Sequence, residues 1–323
     1  MFELAEMLPP SQAGSALWPL MKQAGVTRAV GQFYTRDQLL AGEQPWDYLP
    51  LLRLKHQYED YGFQLDVIED RPPMNLTKRG LPGRDAEIET VLTLIENMGR
   101  LGIGTWCYQW MTDFTWLRTS VAIPSRGGSL VAGFDQAHLA NAPETELGPI
   151  GEEPLWDALA YFLDQVIPTA EKWGVRLAMH PDDPPLSPLR GVARIMSSVP
   201  AFQRLVALHP SDMNGITLCQ GNFSLMTDDM PATIKLLGDK IFFVHMRDVV
   251  GTKERFQETW HDAGPTDLLA CFETYRDVGF DGVVRPDHVP TLYGEGNEKP
   301  GYATLGRLFA IGYLRGLQHA TFR

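Results

Sequence analysis

Cysteine is scarce in this chain: Cys107, Cys219 and Cys271 are the only three among 323 residues, and no two share a CxxC spacing. An odd, sparse set offers no disulfide framework, and a reducing cytoplasm is the expected location. Basic residues are outnumbered, 28 Lys and Arg against 40 Asp and Glu, for a net charge of -12. Such a surface repels polyanions at long range, which argues against nucleic acid or an anionic membrane as partner. A negatively charged substrate then needs local arginine or lysine. No apolar run approaches the roughly 20 residues that span a bilayer, and Met1 to Glu6 carry acid where a secretory signal carries base. Internal repeats, low-complexity tracts and Pro-, Gly- or Ser-rich linkers are also missing. The expectation is one domain over residues 1–323, with 44% hydrophobic composition to build its core.

What is present is alternation. Ile88, Val91, Leu92, Ile95 and Met98 fall at helical spacing behind an Asp85 cap, and Gly99 and Gly102 stop that helix before a strand over 103–108. Leu155, Trp156, Leu159, Phe162, Leu163 and Val166 mark another helix, closed by Gly174 before the strand over 175–180. Further strands are expected at 28–33, 64–68, 215–219, 241–245 and 282–287, with a weak seventh at 255–259, and a last helix runs from Tyr302 to His319. Eight strands alternating with helices predict a single (β/α)8 TIM barrel. The polar stretch from Met111 to Gly151, after the third of these strands, is a long loop: a lid over the barrel mouth or a surface excursion.

Four of the strands end in a metal-ligand type: His180, Cys219, His245 and Asp287, separated by 39, 26 and 42 residues. Each interval holds about one strand, one helix and two loops, so the four side chains converge where a barrel's strand ends meet. One such residue alone is more often a core side chain; four at the same terminus point to a divalent metal. Thiolate and imidazole suit zinc or ferrous iron, while a carboxylate with open positions suits manganese or magnesium. Asp182 and Asp183 read equally as orienters of a ligand imidazole or as a turn. The chain turns beyond Asp287, so His288 can enter the mouth as an acid or base, with the Tyr302 phenol close by. Cys107 and Cys271 read as packing residues, and His209 and His319 as surface ones.

Taken together, Lys78–Asp85 (KRGLPGRD), Cys107–Met111 with Phe114–Thr119, His180–Pro185 (HPDDPP), Phe243–Arg247, Arg285–His288 (RPDH) and Pro300–Tyr302 resemble the mannonate dehydratase family over most of the chain. The resemblance implies a xylose-isomerase-like barrel and loss of water from D-mannonate to give 2-keto-3-deoxy-D-gluconate, a step in hexuronate breakdown. It implies His180, Cys219, His245 and Asp287 as ligands, usually of Mn2+ with Fe2+, Co2+ or Zn2+ as alternatives, and His288 and Tyr302 as the proton-transfer pair. A homo-oligomer is expected on the same ground. Arg285, Arg247, Arg118, Arg84 and Asn222 are the candidates for binding a sugar acid.

The chain departs from the family at Gln220, Asn222 and Phe223 after Cys219, at Gln257 where the family has histidine, and at Val289 where glycine is common, with His261 nearby. All of these are expected to line the pocket, so a different aldonate is an open alternative. A metal-dependent sugar isomerase or epimerase on the same barrel, and a non-catalytic sugar-acid binder, are the others.

Overall fold

A computed structural model describes residues 1–323. Twelve strands run along the chain: β1 (Glu3–Met7), β2 (Arg28–Gly31), β3 (Gln64–Ile68), β4 (Thr105–Gln109), β5 (Ser120–Pro124), β6 (Leu130–Asp135), β7 (Arg176–His180), β8 (Asn214–Cys219), β9 (Ile241–Met246), β10 (Val249–Gly251), β11 (Arg255–Glu258) and β12 (Val283–Pro286). Eight of them close a parallel barrel in the order β1-β12-β9-β8-β7-β4-β3-β2. The other four form an antiparallel sheet, β10-β11-β6-β5.

Every barrel strand is followed by a helix, as parallel neighbours require a crossover. These are α1 (Leu17–Gln23), α2 (Tyr48–Asp60), α3 (Asn75–Arg79) with α4 (Arg84–Arg100), α5 (Glu152–Trp173), α6 (Val199–Leu208), α7 (Gln220–Phe223) with α8 (Met230–Leu237), α9 (Leu268–Asp277) and α10 (Thr304–Thr321). No helix is long and apolar enough to cross a membrane.

The helical periodicity does what it predicts. Leu155, Leu159, Phe162, Leu163 and Val166 of α5 are buried, and Phe162 meets the rings of Tyr108 and Trp110 at 6.0 and 5.2 Å. Gly174 caps α5 in the left-handed region (φ 67), a conformation glycine adopts without steric cost, and β7 begins two residues later. Asp85 lies in the first turn of α4 rather than capping it; Gly83 holds the cap position (φ 95).

Two expectations are corrected. Residues 255–259 are not a barrel strand: β11 pairs antiparallel with β6 and β10. The eighth stave is instead β1, whose two glutamates disguise a segment buried from Leu4 to Met7. Glu6 is buried with its carboxylate 3.5 Å from Arg307, and burial pushes it up to about 7. With β1 counted, the long stretch follows the fourth barrel strand. It is not a bare loop either, since it carries the β5–β6 hairpin, and Leu130 bridges to Thr291 beyond β12.

Candidate active site

His180 and Cys219 are the last residues of β7 and β8, His245 is the penultimate residue of β9, and Asp287 follows β12. These strands are four consecutive staves, so one side of the mouth receives all four donors. Ligand atoms of His180, Cys219 and His245 lie within 4.8 Å of one another. Asp287 Oδ2 completes the group at 3.8 Å from Cys219 Sγ and 3.9 Å from His245 Nδ1.

The donors fit a divalent cation. His180 Nδ1 is held by the Pro181 carbonyl at 2.7 Å, which leaves Nε2 free to coordinate, and the buried His245 ring presents Nδ1 toward Asp287 and Nε2 toward Glu69 Oε2 at 3.3 Å. Burial brings the His180 imidazole down to about 3 and keeps it neutral, as a ligand must be. Burial also raises the Cys219 thiol to about 12, so a nearby cation is what would hold it as thiolate at neutral pH. A second donor group, Glu69, Cys107 and His245, adjoins the first. There, however, Arg285 sits bidentately on Glu69 at 2.7 and 2.9 Å and opposes a second cation. Cys107 therefore lines the mouth rather than merely packing, whereas Cys271 is core.

Asp287 is oriented by Arg285 Nη1 at 2.9 Å and the Tyr302 hydroxyl at 3.2 Å, both on Oδ1. Beyond it, His288 takes a positive φ of 39, a conformation uncommon outside glycine. The turn breaks strand alternation and brings both side chains into the mouth. The Val289–Gly301 bridge then sets Tyr302 beside His288, edge to face with ring centroids 5.4 Å apart. Both line one cavity of about 600 Å³, together with Glu69, Arg71, Gln109, Trp116, His180, His245, Arg285 and Asp287.

Behind His288 lies a buried ion network that sequence reasoning did not reach. His288 Nδ1 meets Glu258 Oε1 at 2.5 Å, with Arg118 and Arg247 alongside. Arg118 grips Asp183 at 2.6 and 3.0 Å and Glu258 at 2.8 Å, while Arg247 bonds Asp183 at 3.0 Å and Asn222. Burial alone would raise Asp183 and Glu258. For Asp183 the guanidinium groups of Arg118 and Arg247 override it, and for Glu258 His288 and Arg118 do, so both carboxyls stay below their ordinary range. Gly221 permits this packing, because a Cβ there would stand 2.4 Å from Arg247 Nε.

Of the five residues expected to bind substrate, only Arg285 lines the cavity. Arg118, Arg247 and Asn222 form the layer behind it, the two guanidinium groups paired with carboxylates and Asn222 Oδ1 accepting from Arg247. Arg84 is remote, half-exposed and stacked 3.7 Å over the Tyr161 ring on α5. Asp182 and Asp183 do not orient His180: Asp182 accepts from Met196 N at 2.7 Å and lies 3.7 Å from Arg194, and Asp183 serves the clamp. Most of the family departures also point elsewhere. Gln220 meets Tyr275, Phe223 packs on Phe202, Gln257 lies on the face of β11 opposite Glu258, Val289 packs against Gly306, and His261 bonds the Met246 carbonyl. Glu69 and Arg71 were legible in principle, since they follow β3 as the metal donors follow their strands.

The family model for D-mannonate dehydratase (UxuA) matches residues 16–149 and 145–323. The chain belongs to the mannonate dehydratase family. The mannonate dehydratase of Streptococcus suis is 35% identical over 309 residues, covering 87% of this chain and 84% of that protein. Mannonate dehydratase 2 of Halalkalibacterium halodurans is 33% identical, covering 85% and 88%. The crystal structure of the Streptococcus suis serotype 2 mannonate dehydratase superposes with a TM-score of 0.91 at 32% identity, covering 100% of this chain and 94% of that one. An L-ribulose 3-epimerase shares the barrel with a TM-score of 0.62 at 14% identity, a likeness of fold alone. Membership places this mannonate dehydratase homologue among the carbon–oxygen lyases.

Proposed function

We propose that the protein removes water from D-mannonate to give 2-keto-3-deoxy-D-gluconate, with a divalent cation, Mn2+ first among candidates, held by His180, Cys219, His245 and Asp287. The observation that carries this reading is that His180, His245 and Asp287 share one cavity with the His288–Tyr302 pair, with the Cys219 thiol buried directly behind them, 3.8 Å from Asp287. A bound cation would supply Lewis acidity at the reacting end of the substrate, offsetting the negative charge that develops as the C2 proton leaves.

His288 is the base. Its Nδ1 is engaged on the protein side by Glu258 Oε1 and Arg247, which orients the ring and leaves Nε2 to take the C2 proton. Tyr302 is the acid. Burial pushes its phenol well above the ordinary value, so it keeps its proton until the C3–oxygen bond breaks and the hydroxyl departs as water. The resulting enol tautomerises to the 2-keto acid. Because Gln220, Phe223, Gln257 and Val289 pack away from the cavity, they give no reason to favour another aldonate.

The test is to incubate manganese-loaded protein with a panel of aldonates and follow water loss by mass spectrometry. D-mannonate is expected to be dehydrated. Absence of a dehydrated product from every aldonate would refute the reading, and isomerisation without water loss would favour an epimerase.

A further inference from the structure

Arg71 is three residues beyond the end of β3, and β3 stands across the barrel from β9, in the half of the mouth that contributes no metal donor. Its side chain lines the cavity. The other cavity-lining guanidinium groups are committed: Arg285 to Glu69 and Asp287, and Arg307 to the Met7 carbonyl at 2.7 Å and Glu6 at 3.5 Å. Arg71 differs. The one hydrogen bond it donates is from its backbone N–H to Asp70 Oδ1, and its guanidinium has no hydrogen bond and no carboxylate within ion-pair distance. Lys299, the remaining cation of the lining, is exposed and needs no partner. A half-buried guanidinium with five idle donors has given up part of its hydration and still presents its nitrogens to the cavity, and a planar carboxylate is the group whose geometry matches that fork. Burial lowers Arg71 from its ordinary value, only partly opposed by Asp70, which is the condition an incoming anion relieves.

Resting on the aldonate reading above, we propose that Arg71 receives the substrate carboxylate, so that it, rather than Arg118, Arg247 or Arg84, selects acids over neutral polyols and sets the direction of the carbon chain in the cavity. The network arginines cannot take this part because Asp183 and Glu258 already satisfy them.

The experiment uses manganese-loaded Tyr302→Phe protein, in which turnover is blocked, and measures calorimetric binding of D-mannonate and of D-mannitol, the matching chain without a carboxylate. Adding Arg71→Gln is expected to weaken D-mannonate about tenfold or more while leaving D-mannitol within about twofold, and Arg71→Lys, which keeps charge but not the fork, to fall between. A loss for D-mannonate below about threefold, or an equal loss for both compounds, overturns the assignment. If Arg71→Gln fails to fold, Arg71→Lys decides by the same comparison, an unequal loss supporting and an equal or absent loss rejecting. Turnover of D-mannonate by the wild-type protein is measured in parallel. Failure there refutes the dehydratase reading, while the acid-over-polyol comparison still judges Arg71.

Discussion

Replacing Asp183 with asparagine removes one negative charge from a site where two buried guanidinium groups depend on it. Asp183 holds Arg118 through both oxygens, at 2.6 and 3.0 Å, and Arg247 at 3.0 Å, and its side chain is 4% exposed. In the variant Glu258 is left as the near carboxylate for both arginines and for His288. Breaking a buried ion network by deleting one partner costs about 3–5 kcal/mol, mostly the penalty of the stranded charge. For a chain of 323 residues, an unfolding entropy near 2 cal/mol/K per residue converts that cost to a fall in Tm of about 4–7 °C. Circular dichroism melts of both proteins at pH 7.5 measure it directly.

The pH dependence supplies a second arm. The folded carboxyl stays ionised well below the ordinary range because Arg118 and Arg247 outweigh burial, whereas the unfolded one protonates near pH 4. The contribution of Asp183 is therefore fully present above about pH 5 and is lost as the pH falls toward the folded value. The Tm gap between wild type and Asp183→Asn should hold from pH 8 to pH 5 and narrow below. A gap under about 1 °C at pH 7.5, or one that widens on acidification, would refute the claim that this carboxylate is charged and pivotal in the clamp.

Three further outcomes follow from the assigned roles. His180→Ala and Cys219→Ala should lose bound metal and activity together, and elemental analysis showing wild-type metal content in both would remove them as ligands. Tyr302→Phe should retain metal yet lose turnover by a factor of about 100 or more, as expected for a missing general acid; wild-type kcat would strip the phenol of that role. Arg84→Ala, on the outer side of the barrel, should change KM for D-mannonate less than twofold, and a large rise in steady-state KM would place Arg84 back at the site.

The sequence by itself determined the βα alternation and placed four candidate donors at strand ends, each a local statement of an apolar run of fixed length followed by a polar residue at its end. The pairing of His288 with Tyr302 is implied by the family resemblance. Tertiary structure alone decided how the remaining charges are spent. Arg118, Arg247 and Arg285 look like free substrate-binding cations in the chain, but Asp183, Glu258 and Glu69 neutralise them from 65, 11 and 216 residues away. Arg71 follows a strand end as the donors do, but only the fold shows that nothing pairs with it. The strand error has the same origin: Glu3–Met7 and Arg255–Glu258 are both short and charged, and only the closure of the cylinder determines that the first is a stave and the second part of the sheet against His288. Ion pairing and ring closure join residues far apart in the chain, so no window along the sequence contains them.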